Sequence, residues 1–120
     1  MRVLVVDRSA EFRDTLRDVL NAEDDLEADA IAADHEQAIA AAARFTPEVA
    51  VLGVDMPGRE GVILVGEFQR RLPAVRLVAF TAMDIGPDGT ELARLGIGEH
   101  LVKGAANVEI LAAVRRAGHA

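Results

Sequence analysis

Six positions carry the side chains, or the lack of one, from which chemistry could be built: Asp7, Arg8, Gly53, Asp55, Thr81 and Lys103. Carboxylates, a guanidinium, a hydroxyl and an ammonium group can pair with one another or hold a small ion between them. Each stands at the close of an apolar run. Val3-Leu4-Val5-Val6 ends at Asp7-Arg8, and Val49-Ala50-Val51-Leu52 ends at Gly53 with Asp55 two residues on. The run to Phe80 ends at Thr81, and Leu101-Val102 ends at Lys103. Asp7, Arg8 and Lys103 sum to a charge of about +1, and Asp55 brings the set to about zero, whereas a hard divalent cation seeks an excess of carboxylate oxygens. His35, His100 and His119 do not have the spacing of a metal cluster. No metal ligand and no catalytic residue is assigned.

The elements that must bring these residues together follow from the hydrophobic pattern. Five apolar segments alternate with helix-like ones, without a linker or repeat, which predicts βα units and a parallel sheet covered on both faces. Right-handed crossovers leave a few doubly wound topologies. The expected class is therefore α/β, a doubly wound five-stranded parallel sheet. Ligands of such sheets sit in the crevice beyond the carboxyl ends of the strands, where scattered strand-end residues converge.

In chain order, Ser9 is a good N-cap, and Phe12, Leu16, Val19 and Leu20 follow at helical spacing to about Asn21. Residues 26–32 make a weak strand, with Asp29 suggesting an edge. Asp34 opens a second helix, and Gln37 completes a capping-box-like pair. That helix runs to Phe45, with Pro47 as its stop. Gly58 and Gly61 read as loop, followed by a helix over Val62 to Arg71 with Ile63, Leu64 and Phe68 inward. Pro73 ends it, and Val75 to Phe80 form the fourth strand. Gly86, Pro87 and Gly89 weaken the next helix, expected from about Thr90 to Leu95. His100 to Val102 make a short fifth strand, and Val108, Ile110, Leu111 and Val114 carry a last helix before Gly118. The pairs Arg70-Arg71 and Arg115-Arg116 read as solvated helix ends that suit the helix dipole.

A chain of 120 residues supports one domain, taken as 1–120, and 51% hydrophobic residues supply its core. With no Cys, a disulfide scaffold, thiolate metal sites and a Cys nucleophile are excluded, and a reducing cytosol is compatible. Val3 to Val6 is far too short for a signal peptide or a membrane span, so the expected location is cytoplasmic, away from membranes. A formal net charge of −7 opposes direct contact with nucleic acid and suits a protein partner. A dinucleotide site is poorly supported, because no G-x-G-x-x-G follows the first strand.

Val3-Leu4-Val5-Val6-Asp7, Met56-Pro57-Gly58 with Gly61, Phe80-Thr81-Ala82 and Leu101-Val102-Lys103 stand in a telling order and spacing. They resemble the motifs of bacterial response-regulator receiver domains over almost the whole chain, most of all the NarL/FixJ-like subfamily. The resemblance implies a flavodoxin-like (βα)5 fold with strand order 2-1-3-4-5. It also implies a site where two adjacent acids after strand one, with an aspartate ending strand three, hold Mg²⁺. That aspartate accepts a phosphoryl group whose oxygens a Thr or Ser and a Lys engage.

Asp7, Thr81 and Lys103 match this pattern. Arg8 stands where the second acid belongs, and Gly53 where the phosphoacceptor belongs. Gly104 replaces a common proline, and His100 takes a place often held by an aromatic switch residue. The expectation is a degenerate pocket with no cofactor and no enzymatic activity, in a regulatory domain that works without phosphorylation. Its partner would be another protein or a second copy, with DNA reached only through an output domain outside this chain. Arg8 is expected to stand in for the metal, pairing with Asp7 or Asp55; the alternative is a solvated Arg8. Asp7 with Lys103 reads as a structural ion pair, and Thr81 either as a switch or as a hydroxyl satisfying backbone. Two rivals stay open: Asp55 as a substitute phosphoacceptor, and a small ligand filling the space that Gly53 leaves beside Thr81 and Lys103.

Overall fold

The computed structural model of the protein describes residues 1–54, 60–81 and 93–119. Five parallel strands, β1 (Arg2–Val6), β2 (Glu27–Ala32), β3 (Val49–Gly53), β4 (Arg76–Thr81) and β5 (Glu99–Val102), form one sheet in the order β2-β1-β3-β4-β5. That is the doubly wound, flavodoxin-like order expected. Four helices are described: α1 (Ala10–Asn21), α2 (His35–Phe45), α3 (Glu60–Arg71) and α4 (Asn107–Gly118). The helix expected between Thr90 and Leu95 lies mostly outside the described residues; Ala93 and Arg94 are helical.

Alternation along the strands sorts the core into two layers. Val3, Val5, Val49, Val51, Val78 and Phe80 meet α1 and α4, while Leu4, Val6, Ala50, Leu52 and Ala79 meet α2 and α3. All five residues of β3 are buried, as a central strand covered on both faces must be. The buried residues of α2 are Ala38 and Ala42, small enough to let the helix lie close on the sheet. Asp34 caps α2 by accepting the Gln37 N–H at 2.9 Å, and the Gln37 side chain accepts the Ala33 N–H at 3.0 Å. No described helix is long and apolar enough to cross a membrane.

Three expectations about faces need correction. Gly61 is not loop: it lies in the first turn of α3, where a Cβ would collide with the Val54 carbonyl, so the glycine permits close approach of helix to strand end. The buried stripe of α3 is Gly61, Leu64, Val65 and Phe68, with Leu64 and Phe68 inward as expected, and Ile63 is turned out to 53% exposure. Val108 likewise stands 71% exposed, because α4 buries Ile110, Ala113, Val114 and Ala117.

Candidate functional site

Backbone rungs at the carboxyl edge of the sheet gather the strand-end residues. The Asp7 N–H donates to the Ala32 carbonyl at 3.1 Å, Val54 to Phe80 at 3.0 Å, and Lys103 to Thr81 at 2.8 Å. Register pairs Val6 with Leu52, Gly53 with Phe80, and Thr81 with Val102. Asp7, Gly53, Thr81 and Lys103 therefore stand on adjoining strands around one crevice. Asp55 lies outside the described residues.

Asp7 and Thr81 are the buried polar residues there, 3% and 4% exposed. A buried carboxylate needs partners for both oxygens. Oδ1 accepts the Ser9 N–H at 2.9 Å, while the Ser9 hydroxyl accepts the Phe12 N–H at 3.2 Å and caps α1. Oδ2 meets the Lys103 ammonium at 2.9 Å. Beneath that ammonium lies the Phe12 ring, 4.8 Å from Nζ to centroid, itself packed edge-on to Phe80. The ion pair thus rests on an aromatic floor.

The missing side chain at position 53 makes this arrangement possible. A Cβ built on Gly53 would overlap Asp7 Oδ2 and come within 2.8 Å of Asp7 Cγ. The carboxylate occupies the room where a residue-53 side chain would begin. A small ligand seated in that room, one of the rivals above, would first have to displace it.

Arg8 does not pair with Asp7. It is exposed and forms no ion pair among the described residues, because Ser9 and Lys103 already hold the carboxylate inward. The guanidinium that does serve this loop is Arg13. Its Nη1 donates to the Asp7 carbonyl at 2.6 Å and to the Arg8 carbonyl at 3.3 Å, satisfying acceptors that the sheet leaves open. Its Nε is buried with no partner among the described residues. Sequence reasoning missed Arg13, since a first-turn arginine on an amphipathic helix looks like any solvated one. Thr81 Oγ1 hydrogen-bonds His100 Nε2 at 2.8 Å, joining the strand-four hydroxyl to β5.

Among the described residues no group of three His, Cys, Asp or Glu side chains could hold a metal ion. The one carboxylate in the described crevice has both oxygens engaged, one by an ammonium. That donor set does not fit a hard divalent cation, which needs several free carboxylate oxygens.

A family model for the response regulator receiver domain matches residues 3–115. The chain belongs to that family. As a receiver domain it is 30% identical over 115 residues to the response regulator GacA of Pseudomonas viridiflava, covering 96% of this chain and 54% of GacA. It is 34% identical over 73 residues to a protein-glutamate methylesterase/protein-glutamine glutaminase of Shewanella frigidimarina, covering 61% of this chain but 18% of that enzyme. The receiver thus spans about half of one relative and under a fifth of the other, and the methylesterase activity is said of that enzyme alone. Among solved structures, the response regulator domain of Thermotoga maritima CheB superposes with a TM-score of 0.85 at 22% identity, covering 100% of this chain and 97% of its own. The receiver domain of NarL from Mycobacterium tuberculosis gives 0.85 at 23% identity, covering 98% and 95%. These two likenesses speak for the fold.

Proposed function

We propose that this receiver domain regulates without accepting a phosphoryl group at the end of β3. The observation that carries the reading is the Asp7 carboxylate lying over Gly53 and paired to Lys103 at 2.9 Å. Position 53 has no carboxylate to phosphorylate, the lysine that would meet phosphoryl oxygens already has an anion, and the described residues of the crevice offer no free acid pair for Mg²⁺. A pocket neutralised from within holds one state by default, and its output is then set by partners rather than by a kinase.

On this reading the domain is a pseudo-receiver of NarL/FixJ-like type spanning residues 1–120. It acts in the cytoplasm on a protein partner or a second copy of itself. It controls transcription through dimerisation or through an output domain beyond this sequence, which would also supply any contact with DNA.

The test is incubation with acetyl phosphate and Mg²⁺, read by intact mass. No phosphoryl adduct is expected on the wild-type chain. The double variant G53D/R8D restores both acids and is expected to gain a magnesium-dependent adduct at residue 53. A wild-type adduct mapping to Asp55 overturns the proposal in favour of a displaced phosphoacceptor.

A further inference from the structure

At the opposite end of β1 from Asp7 lies a second feature, independent of the crevice. Arg2, Ala30, Ala41, Arg44 and Phe45 line a hollow of about 340 Å³ between the edge of the sheet and α2. Two guanidinium groups flank it in a chain of formal net charge −7. Their partners set them apart from the arginines at the ends of α3 and α4. Arg70, Arg71, Arg115 and Arg116 all pair with carboxylates. The Arg2 guanidinium instead lies 4.1 Å over the Phe45 ring and donates to the Thr46 hydroxyl at 3.3 Å. Arg44 is exposed and has no ion-pair partner among the described residues.

Neither Glu48 nor Glu27 pairs with the Arg2 guanidinium among the described residues. Glu48 Oε1 accepts the backbone N–H of Arg2 at 3.3 Å rather than its guanidinium. Glu27 stands beside Arg2 in register and forms no ion pair with it among the described residues. Thr46, next in sequence to the lining residue Phe45, receives the Arg2 guanidinium. It closes α2 in the left-handed region (φ 49°, ψ 61°), the one non-glycine residue with positive φ among those described. A β-branched residue rarely adopts that conformation. The Thr46 hydroxyl donates to the Phe45 carbonyl at 2.7 Å, which leaves its lone pairs free to receive Arg2.

We propose that this hollow is a binding site for a small organic oxyanion, a carboxylate or phosphate ester carried on an apolar body. The two guanidiniums supply charge-assisted donors for the anionic head, and Ala30, Ala41 and the Phe45 ring supply the apolar wall. The hollow's size falls in the range of small-molecule sites, at roughly 300–1,000 Å³.

The experiment is an amide chemical-shift titration of the whole chain with phenyl phosphate, benzoate and, as a neutral control, benzyl alcohol. Both anions are expected to saturate shifts at Arg2, Ala30 and Ala41 through Thr46, and benzyl alcohol is not. Phenyl phosphate binding better than benzoate assigns a phosphate ester as the natural class, and the reverse assigns a carboxylate. Arg44→Gln, which removes an exposed side chain with no described partner, is expected to keep the thermal midpoint and weaken binding about tenfold, the loss of one charge-assisted hydrogen bond. Arg44→Lys keeps part of the affinity. The proposal fails if neither anion saturates by about 20 mM, far weaker than a useful site. It also fails if Arg44→Gln binds as well as wild type, or if equal shifts appear around Arg70 and Arg115.

Discussion

The receiver carries two arrangements of opposite charges that look alike on a list of contacts and differ in physics. In the crevice, Asp7 and Lys103 form a pair whose side chains are 4% and 29% exposed. At the other end of the sheet, Arg115 near the end of α4 reaches the loop between α1 and β2. It donates to Asp25 through Nε at 2.9 Å and Nη2 at 2.7 Å, and to Glu23 at 2.9 Å. The chain's ammonium terminus donates to the Asp25 carbonyl at 2.7 Å and completes the cluster. These side chains are 36% exposed for Arg115, 35% for Glu23 and 53% for Asp25. Water shields the cluster but hardly reaches Asp7. The buried pair is costly to break because either partner alone would be stranded, whereas each member of the exposed one can be rehydrated.

Lys103→Met tests that contrast most severely. It keeps the apolar stem over Phe12 and removes the charge, leaving the Asp7 carboxylate buried with the Ser9 N–H as its described partner. The expected loss is about 3 kcal/mol, at the low end for a broken buried pair because Lys103 is partly solvated. Urea unfolding checks it, and an unchanged midpoint would show that water already serves Asp7.

Gly53→Ala attacks the same pair from below. The new methyl group needs the space of the Asp7 carboxylate, and turning that side chain away breaks both its contacts. About 1–3 kcal/mol should be lost, in the range of overpacked cores. The sharper measurement is the double variant with Lys103→Met. Both changes disrupt one interaction, so their costs should fall short of adding. Additive losses would mean that Gly53 and Lys103 act separately and that the glycine does not serve the pair.

These tests also show where the sequence was legible. The five strands and four helices were readable because burial on both faces writes continuous apolar strands, and caps such as Ser9 and Asp34 mark helix starts; the sheet order came from the receiver resemblance. Charge at the strand ends was readable too, since doubly wound topology alone brings Asp7, Thr81 and Lys103 together. The choice of partner was not. Arg8 drew attention as the neighbour of Asp7, yet the Ser9 amide and Lys103 hold the carboxylate, and Arg13 serves the loop carbonyls instead. Those choices depend on angles within a few residues, which residue type does not encode. Arg115 and Arg116 do stand in the last turn of α4 and reach solvent, as read, but their partners were illegible for a related reason. Helix-end arginines usually face water, and nothing local in sequence announces Asp25, Glu23 or Glu99 as partners far along the chain.

The gentlest break falls on the Arg115 cluster and is read through pH. Hydrogen bonding from Arg115 holds the Asp25 carboxyl at about 2, below its ordinary 3.8, and Asp25 in turn raises the Arg115 guanidinium. A carboxyl group depressed in the folded state adds stability that is fully present above its unfolded value and fades as pH falls through the folded one. The contribution should therefore be whole above about pH 4 and nearly gone near pH 2. Arg115→Met removes its cause, so the variant should melt slightly below wild type at neutral pH, with the two curves converging between pH 4 and pH 2. Added salt at neutral pH should narrow the same gap, because exposed pairs are screened within about 8–10 Å. Lys103→Met should show little such narrowing. Equal salt sensitivity in the two variants would dissolve the distinction between the screened cluster and the sheltered pair.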